Sequence, residues 1–192
     1  MKDKIKSIRV FIAITLPDSL KNRLQDAQKI LHVNKIQVKH IPLRNMHLTL
    51  KFIGNINPVL LPEIENVLIS CTQNHKPIKL ISRGIGVFPS TKFPKAIWAG
   101  IKGEIHKLES LNKKLEQGLS TIGIPKEKRK FQGHLTFARF KKRKINTKEL
   151  ERSIQQIDQT DSEQFSIDRL ILFQSKLMPG GPIYTELYSA KF

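Results

Sequence analysis

The 192 residues predict an α+β fold: a bilobal, duplicated domain whose two antiparallel-rich sheets are flanked by helices, with a site in the groove between them. Three observations carry that expectation. Strand-like and helix-like apolar patterns alternate along the chain. The order of elements occurs twice at a constant offset of 87 residues, which sets Phe11 against Trp98, Leu24 against Leu111 and His47 against His134. The tripeptide His-Leu-Thr, followed by an apolar residue, stands once in each copy, at His47 and at His134. Two copies are too few for a solenoid, so closure about a pseudo-twofold axis is the natural outcome. Residues 1–192 are read as one domain, with repeat halves at approximately 8–90 and 95–192.

The elements follow in order. Arg9 to Ile14 is a short β-forming run ended by Pro17, a buried strand. Pro17-Asp18-Ser19 opens a helix whose Leu20, Leu24, Ala27 and Leu31 recur at helical spacing. A basic connection from Lys35 to Lys39 leads to Met46–Phe52, which alternates with period two and is bounded by Gly54 and Asn55. Leu61 to Ser70 predicts a second helix, and Ile78–Ile81 and Gly86–Phe88 give strand material. Gly84 to Pro94 reads as the join between the copies. The second copy then runs as a strand at Ala96–Ile101, a helix through Leu108, Leu111, Leu115 and Leu119, and a strand at Phe131–Phe137. A helix through Leu150, Ile154 and Ile157 follows, and one long last strand at Phe165–Phe173.

Composition narrows the function. With 34 Lys+Arg against 16 Asp+Glu the net charge is +18, the footprint expected of a protein whose partner is a polyanion, most often nucleic acid. Cys71 is the single cysteine, which excludes an internal disulfide and Cys-based metal sites. The apolar run after the charged N-terminus is short and has no small-residue cleavage site, and no stretch approaches a membrane span. A soluble cytoplasmic protein is expected, monomeric because the duplication already supplies both halves of a groove.

On a strand, residues i and i+2 share a face. His47 with Thr49, and His134 with Thr136, therefore project together, while Leu48, Leu50, Leu135 and Phe137 turn to the core. A pseudo-twofold lets the two polar pairs converge. Two facing imidazoles suit phosphodiester cleavage, since one can be neutral and the other charged near neutral pH. Threonine hydroxyls would hold non-bridging oxygens. Neither histidine has a carboxylate or cysteine at ligand spacing, so no metal and no cofactor is expected. No phosphate-binding GxxxxGK[ST] loop occurs. His32, His40, His75 and His106 lack a paired context and read as surface or structural.

The chain resembles the two-histidine phosphoesterases, and within them the RNA 2′,3′-cyclic phosphodiesterase or 2′-5′ RNA ligase (LigT-like) family. Arg9–Ile14 with Leu16-Pro17, Asn45–Gly54, Gly86–Pro89 and Trp98–Gly100 carry the likeness in the first part of the chain. Phe131–Arg139, then Ser175, Leu177, Pro179, Gly181-Pro182 and Tyr184, carry it to the end. The resemblance implies metal-independent opening of a terminal RNA cyclic phosphate to a 2′-phosphomonoester. It makes His47 the proton donor, His134 the proton acceptor, Thr49 and Thr136 the phosphate holders and Arg139 their assistant. Some members also join or cleave 2′-5′ linked RNA. Gly133 stands where the family usually has Pro, and His40 near a position often held by Trp.

Parity makes further predictions. Strict alternation turns Arg139 away from His134 and Thr136, so it reaches the phosphate only through a bulge or the strand's end. Lys51 is expected to help bind the anionic substrate. Phe140 shares parity with His134 and is a candidate for stacking on a base, whereas Phe52 falls on the core face. Basic clusters at 126–130 and 141–144 bracket the second motif and would hold the RNA backbone. Two other readings stay open: a non-catalytic RNA-binding module, and a phosphodiesterase acting on 2′-5′ oligonucleotides or small cyclic nucleotides.

Overall fold

A computed structural model describes residues 6–141, 145–159 and 162–192. Nine strands form two antiparallel sheets among the described residues. The first joins β3 (His47–Ile56), β1 (Ile8–Thr15), β8 (Arg169–Met178) and β9 (Gly181–Lys191), in that order. The second runs β2 (Val38–His40), β6 (His134–Phe140), β5 (Ala96–Gly103), β4 (Ile78–Phe88) and β7 (Glu163–Ile167). The duplication is plain in this order: β3-β1-β8 corresponds to β6-β5-β4. The two sequence halves are not the two lobes, however. β4 crosses into the second sheet to pair with β5, and β8 returns to the first to pair with β1.

Four helices cover the outer faces. α1 (Asp18–Val33) and α4 (Thr147–Asp158) pack on each other and on the second sheet; α2 (Leu61–Thr72) and α3 (Ile105–Thr121) do the same on the first. Their buried stripes are those the sequence predicts: Leu20, Leu24, Ala27 and Leu31 on α1, and Leu108, Leu111, Leu115 and Leu119 on α3. Each such leucine contributes on the order of 2 kcal/mol of apolar burial. Asn146 caps α4 by accepting from the Glu149 backbone N–H. The uncovered faces of the two sheets meet where β3 and β6 lie side by side without pairing.

The structure corrects several sequence expectations. Gly84–Phe88 belong to β4, so the join between copies is only residues 89–95. The basic connection contains the short strand β2. Phe131–Gly133 precede β6 instead of opening it. The last long strand is two, broken at Asp168, and its halves serve opposite sheets. The tail forms β9. Of the second basic cluster, residues 142–144 lie outside the described residues. No helix among the described residues is long and apolar enough to cross a membrane.

Candidate active site

Each histidine opens its strand, and each carries the same local bond. His47 Nδ1 lies 2.8 Å from the carbonyl oxygen of Asn45, and His134 Nδ1 lies 2.8 Å from that of Gln132. A carbonyl only accepts, so Nδ1 carries the hydrogen in both rings. Nε2 is thereby left as the atom that gives or takes a proton. Both rings rest on aromatic neighbours. Phe11 lies 5.0 Å from His47, and Tyr184 meets that ring edge-on at 5.3 Å. Phe88 stands edge-on to His134 at 5.0 Å, with Trp98 stacked against it. His47, Thr49, His134 and Thr136 all line one cleft of about 390 Å³.

Beyond the threonines, strict alternation fails in both copies, and at equivalent residues. Opposite β1, Ile12 pairs with Lys51 and Ala13 with Thr49, so Leu50 is extra. Opposite β5, Ile97 pairs with Ala138 and Trp98 with Thr136, so Phe137 is extra. These are β-bulges, and each shifts every later side chain to the other face. Leu50 and Lys51 are consecutively buried, as are Phe137 and Ala138. In each copy a buried amide from the helix behind donates to the extra residue's carbonyl, and Phe137 O accepts the Ile41 backbone N–H as well. Asn112 of α3 donates to Leu50 O at 2.9 Å, and Gln28 of α1 donates to Phe137 O at 2.7 Å. Gln28 also holds Ile41 O, tying β2 to the same bulge.

The bulges decide which predicted residues reach the cleft. Arg139 does, because the bulge returns it to the face of His134 and Thr136. Lys51 does not: it is 5% exposed, points behind the sheet, and bonds Glu116 and the Pro125 carbonyl, each at 2.7 Å. Its assignment to substrate binding is therefore corrected to a buried ion pair. Phe140 is likewise turned away and packs against the core. Phe52, expected in the core, is 65% exposed and lines the cleft.

Several other cleft residues receive no substrate role from the sequence. Arg9, Lys39 and Arg44 add positive charge, His40 lines the wall, and Leu177 and Tyr184 come from β8 and β9. Arg9 gives a signal as a charge at the head of an otherwise apolar strand, and Leu177 and Tyr184 as positions that carry the family likeness. His40, read as surface or structural, is held below the usual imidazole value by burial and by the nearby His32 and Lys141. Asn45 links two parts of the wall: its carbonyl orients His47 while its side-chain amide donates to Pro182 O at 2.9 Å.

The electrostatics act strongly on His47. Burial chiefly lowers His47 to about 4, against the Asn45 bond that raises it; Arg139 and His134 lower it further. Burial raises the Tyr184 phenol, opposed by Arg139 and Arg9. No three His, Cys, Asp or Glu side chains gather as a metal cluster among the described residues. Two oriented imidazoles, two hydroxyls and a ring of cations around an open cleft are equipment for proton transfer at a phosphate ester.

Comparison with known proteins agrees with that chemistry. The family model of the 2′-5′ RNA ligase superfamily matches residues 16–177. The chain belongs to that superfamily. It is an enzyme of it, and two curated relatives share one name. The RNA 2′,3′-cyclic phosphodiesterase of Methanocaldococcus jannaschii is 32% identical over 177 residues, covering 92% of this chain and 96% of the relative. That of Methanothermobacter thermautotrophicus is 29% identical over 180 residues, covering 94% and 96%. Among solved structures, a protein of Thermus thermophilus superposes with a TM-score of 0.80 at 25% identity, covering 96% of this chain and 97% of its own. Escherichia coli LigT complexed with 3′-AMP has the same fold, with a TM-score of 0.76 at 17% identity over 97% and 99%.

Proposed function

We propose that this superfamily member hydrolyses the 2′,3′-cyclic phosphate end of RNA to a 2′-phosphomonoester, using His47 and His134 as an acid–base pair without a metal. The observation that carries the reading is the matched pair of Nδ1–carbonyl bonds, which leaves Nε2 of both rings for proton transfer in one cleft. The relatives' shared name supplies the substrate class. His134 takes a proton from water as its oxygen attacks phosphorus; His47 gives one to the departing 3′-oxygen. Thr49, Thr136 and Arg139 hold the non-bridging oxygens, where charge grows in the transition state. Arg9, Lys39 and Arg44 draw in the chain that bears the phosphate. One chain supplies both histidines, so a monomer suffices.

The test is a short RNA ending in a 2′,3′-cyclic phosphate, incubated with excess EDTA, with the phosphate position of the product identified. A 2′-phosphate that disappears in both His47→Ala and His134→Ala supports the reading. Activity abolished by EDTA, a 3′-phosphate product, or wild-type rates in either variant overturns it. RNA binding without any product would return the protein to the class of binding modules.

A further inference from the structure

α1 lies in the first copy of the repeat, yet the bulge it holds belongs to the second. Gln28 stands on the buried stripe of α1, and its Nε2 donates to two carbonyls, Phe137 O at 2.7 Å and Ile41 O at 2.8 Å. An amide nitrogen carries two hydrogens, so both are used here. The Ile41 backbone N–H donates to Phe137 O as well, at 2.9 Å. These bonds fasten the extra residue of β6 to the segment that leaves β2. Both strands feed the cleft from just this place: Arg139 lies two residues beyond Phe137, and Lys39 and His40 directly precede Ile41. Lys39 and Arg139 are partners in the β2–β6 register, so two cations oppose each other on an edge strand of three residues. Like charges in that position push paired strands apart. A bound phosphate would bridge them, but the free protein has to hold them together without it.

An apolar side chain at residue 28 would fill the same space on α1. What it could not do is bond the two carbonyls. Ile41 O would then lose its Gln28 donor, and Phe137 O would keep only the Ile41 N–H. Regular pairing of β6 with β5 would restore alternation and turn Arg139 away from His134 and Thr136. We propose that Gln28 is a positioning residue for the phosphate reaction: it holds Arg139 and Lys39 on the cleft face by fixing the Phe137 bulge and the end of β2. The inference rests on the hydrolytic reading above. The first bulge supplies the contrast. Asn112 of α3 bonds Leu50 O in the same manner, but the residue that this bulge turns into the cleft is Phe52, which carries no charge. Loss of Gln28 should therefore act through Arg139, and loss of Asn112 should not.

The test is a double-mutant cycle on hydrolysis of an RNA 2′,3′-cyclic phosphate. Gln28→Met keeps the length of the side chain and removes both donors. It should lower kcat about tenfold, part of the roughly 10²-fold that losing an oxyanion donor outright costs. In an Arg139→Ala background the same change should cost less than about twofold, because the group it positions is already gone. Asn112→Leu should have one effect in both backgrounds. Equal losses from Gln28→Met in both backgrounds would make the amide a packing element and overturn the proposal. If Gln28→Met does not fold, Gln28→Asn, an amide on a shorter arm, enters the same cycle with the same expected coupling. A second readout needs no turnover. Arg139 is one of the causes that lower His47, so a displaced Arg139 should let His47 titrate at higher pH in imidazole NMR. Gln28→Met should reproduce the rise expected of Arg139→Ala, and the double variant should add nothing to it. A His47 titration unmoved by Gln28→Met overturns the positioning role. A wild type that does not hydrolyse the cyclic phosphate overturns the hydrolytic reading alone, and the NMR result then decides whether Gln28 holds Arg139 in the cleft.

Discussion

The two copies of the repeat agree where phosphate chemistry needs symmetry and differ where a nucleotide needs a direction. Both place a histidine on a carbonyl two residues upstream, a threonine on the same face, and a bulge whose carbonyl accepts from a helical amide. Just past the bulge they part: the first copy sends Phe52 into the cleft, the second Arg139. One residue earlier, Lys51 enters a buried ion pair where Ala138 merely fills the core. On the proposed reading, duplication supplied a two-sided holder for phosphate. Divergence at two positions made one lip apolar and the other cationic, and the same arginine helps to lower His47.

The most severe way to break the comparison is to remove one imidazole. His47→Ala and His134→Ala should each lower kcat by about 10²–10⁴, the usual worth of a positioned general acid or base. Circular dichroism of both variants should match the wild type. If either retains more than a tenth of the wild-type rate, the copies do not share one reaction. The contrast between Lys51 and Ala138 calls for a different measurement. Lys51→Met leaves Glu116 buried without its cation, and breaking a buried pair costs about 3–5 kcal/mol. Denaturant unfolding should show that loss while KM for the cyclic phosphate stays within about twofold. A selective rise in KM would return Lys51 to the substrate.

Most of this design was legible in the sequence because a fixed offset exposes a duplication that neither copy shows alone. His47, Thr49, His134 and Thr136 follow from that offset and from period-two alternation, both of which hold up to the bulge. Past it, the same alternation misplaced Lys51, Phe52 and Phe140. A bulge at Leu50 or Phe137 has no composition of its own; it is fixed by Asn112 and Gln28, which lie 62 and 109 residues away along the chain. Only Arg139 pointed to it, since a phosphate role for that residue required a break in the strand's parity. β2 was hidden because a three-residue edge strand is too short to show a period. The crossing of β4 and β8 between sheets was hidden because pairing partners are set by the fold and not by local pattern.

Arg139 and Phe52 sharpen the comparison at the cleft itself. Arg139→Ala should lower kcat about 10²-fold, as losing one donor to a developing oxyanion does elsewhere. Phe52→Ala should act on KM, raising it about tenfold with kcat nearly unchanged, since stacking on a base is worth about 1–3 kcal/mol in bound and transition states alike. Steady-state kinetics on one RNA substrate separates them. Equal effects on kcat and KM in both variants would mean that the divergence past the bulge carries no division of labour.

The smallest effect is the most telling about mechanism. A proton donor must be charged when the ester is bound, yet His47 in the free protein is lowered to about 4 by burial, Arg139 and His134. A bound phosphate brings negative charge beside the ring and opposes these causes, so binding should raise the value. Imidazole NMR should find His47 titrating near 4 in the free protein and higher with inorganic phosphate bound. Arg139→Ala should raise the free value, because one of the cations that disfavour the charged ring is gone. The alkaline limb of kcat, which reports the bound state, should then lie at higher pH than that of kcat/KM, which reports the free one. The fold itself should weaken as pH falls from about 6.5 to about 4, where the unfolded chain binds this proton and the native one does not. Were the His47 value the same with and without phosphate, the ring could not be charged at neutral pH, and the donor's role would pass to His134.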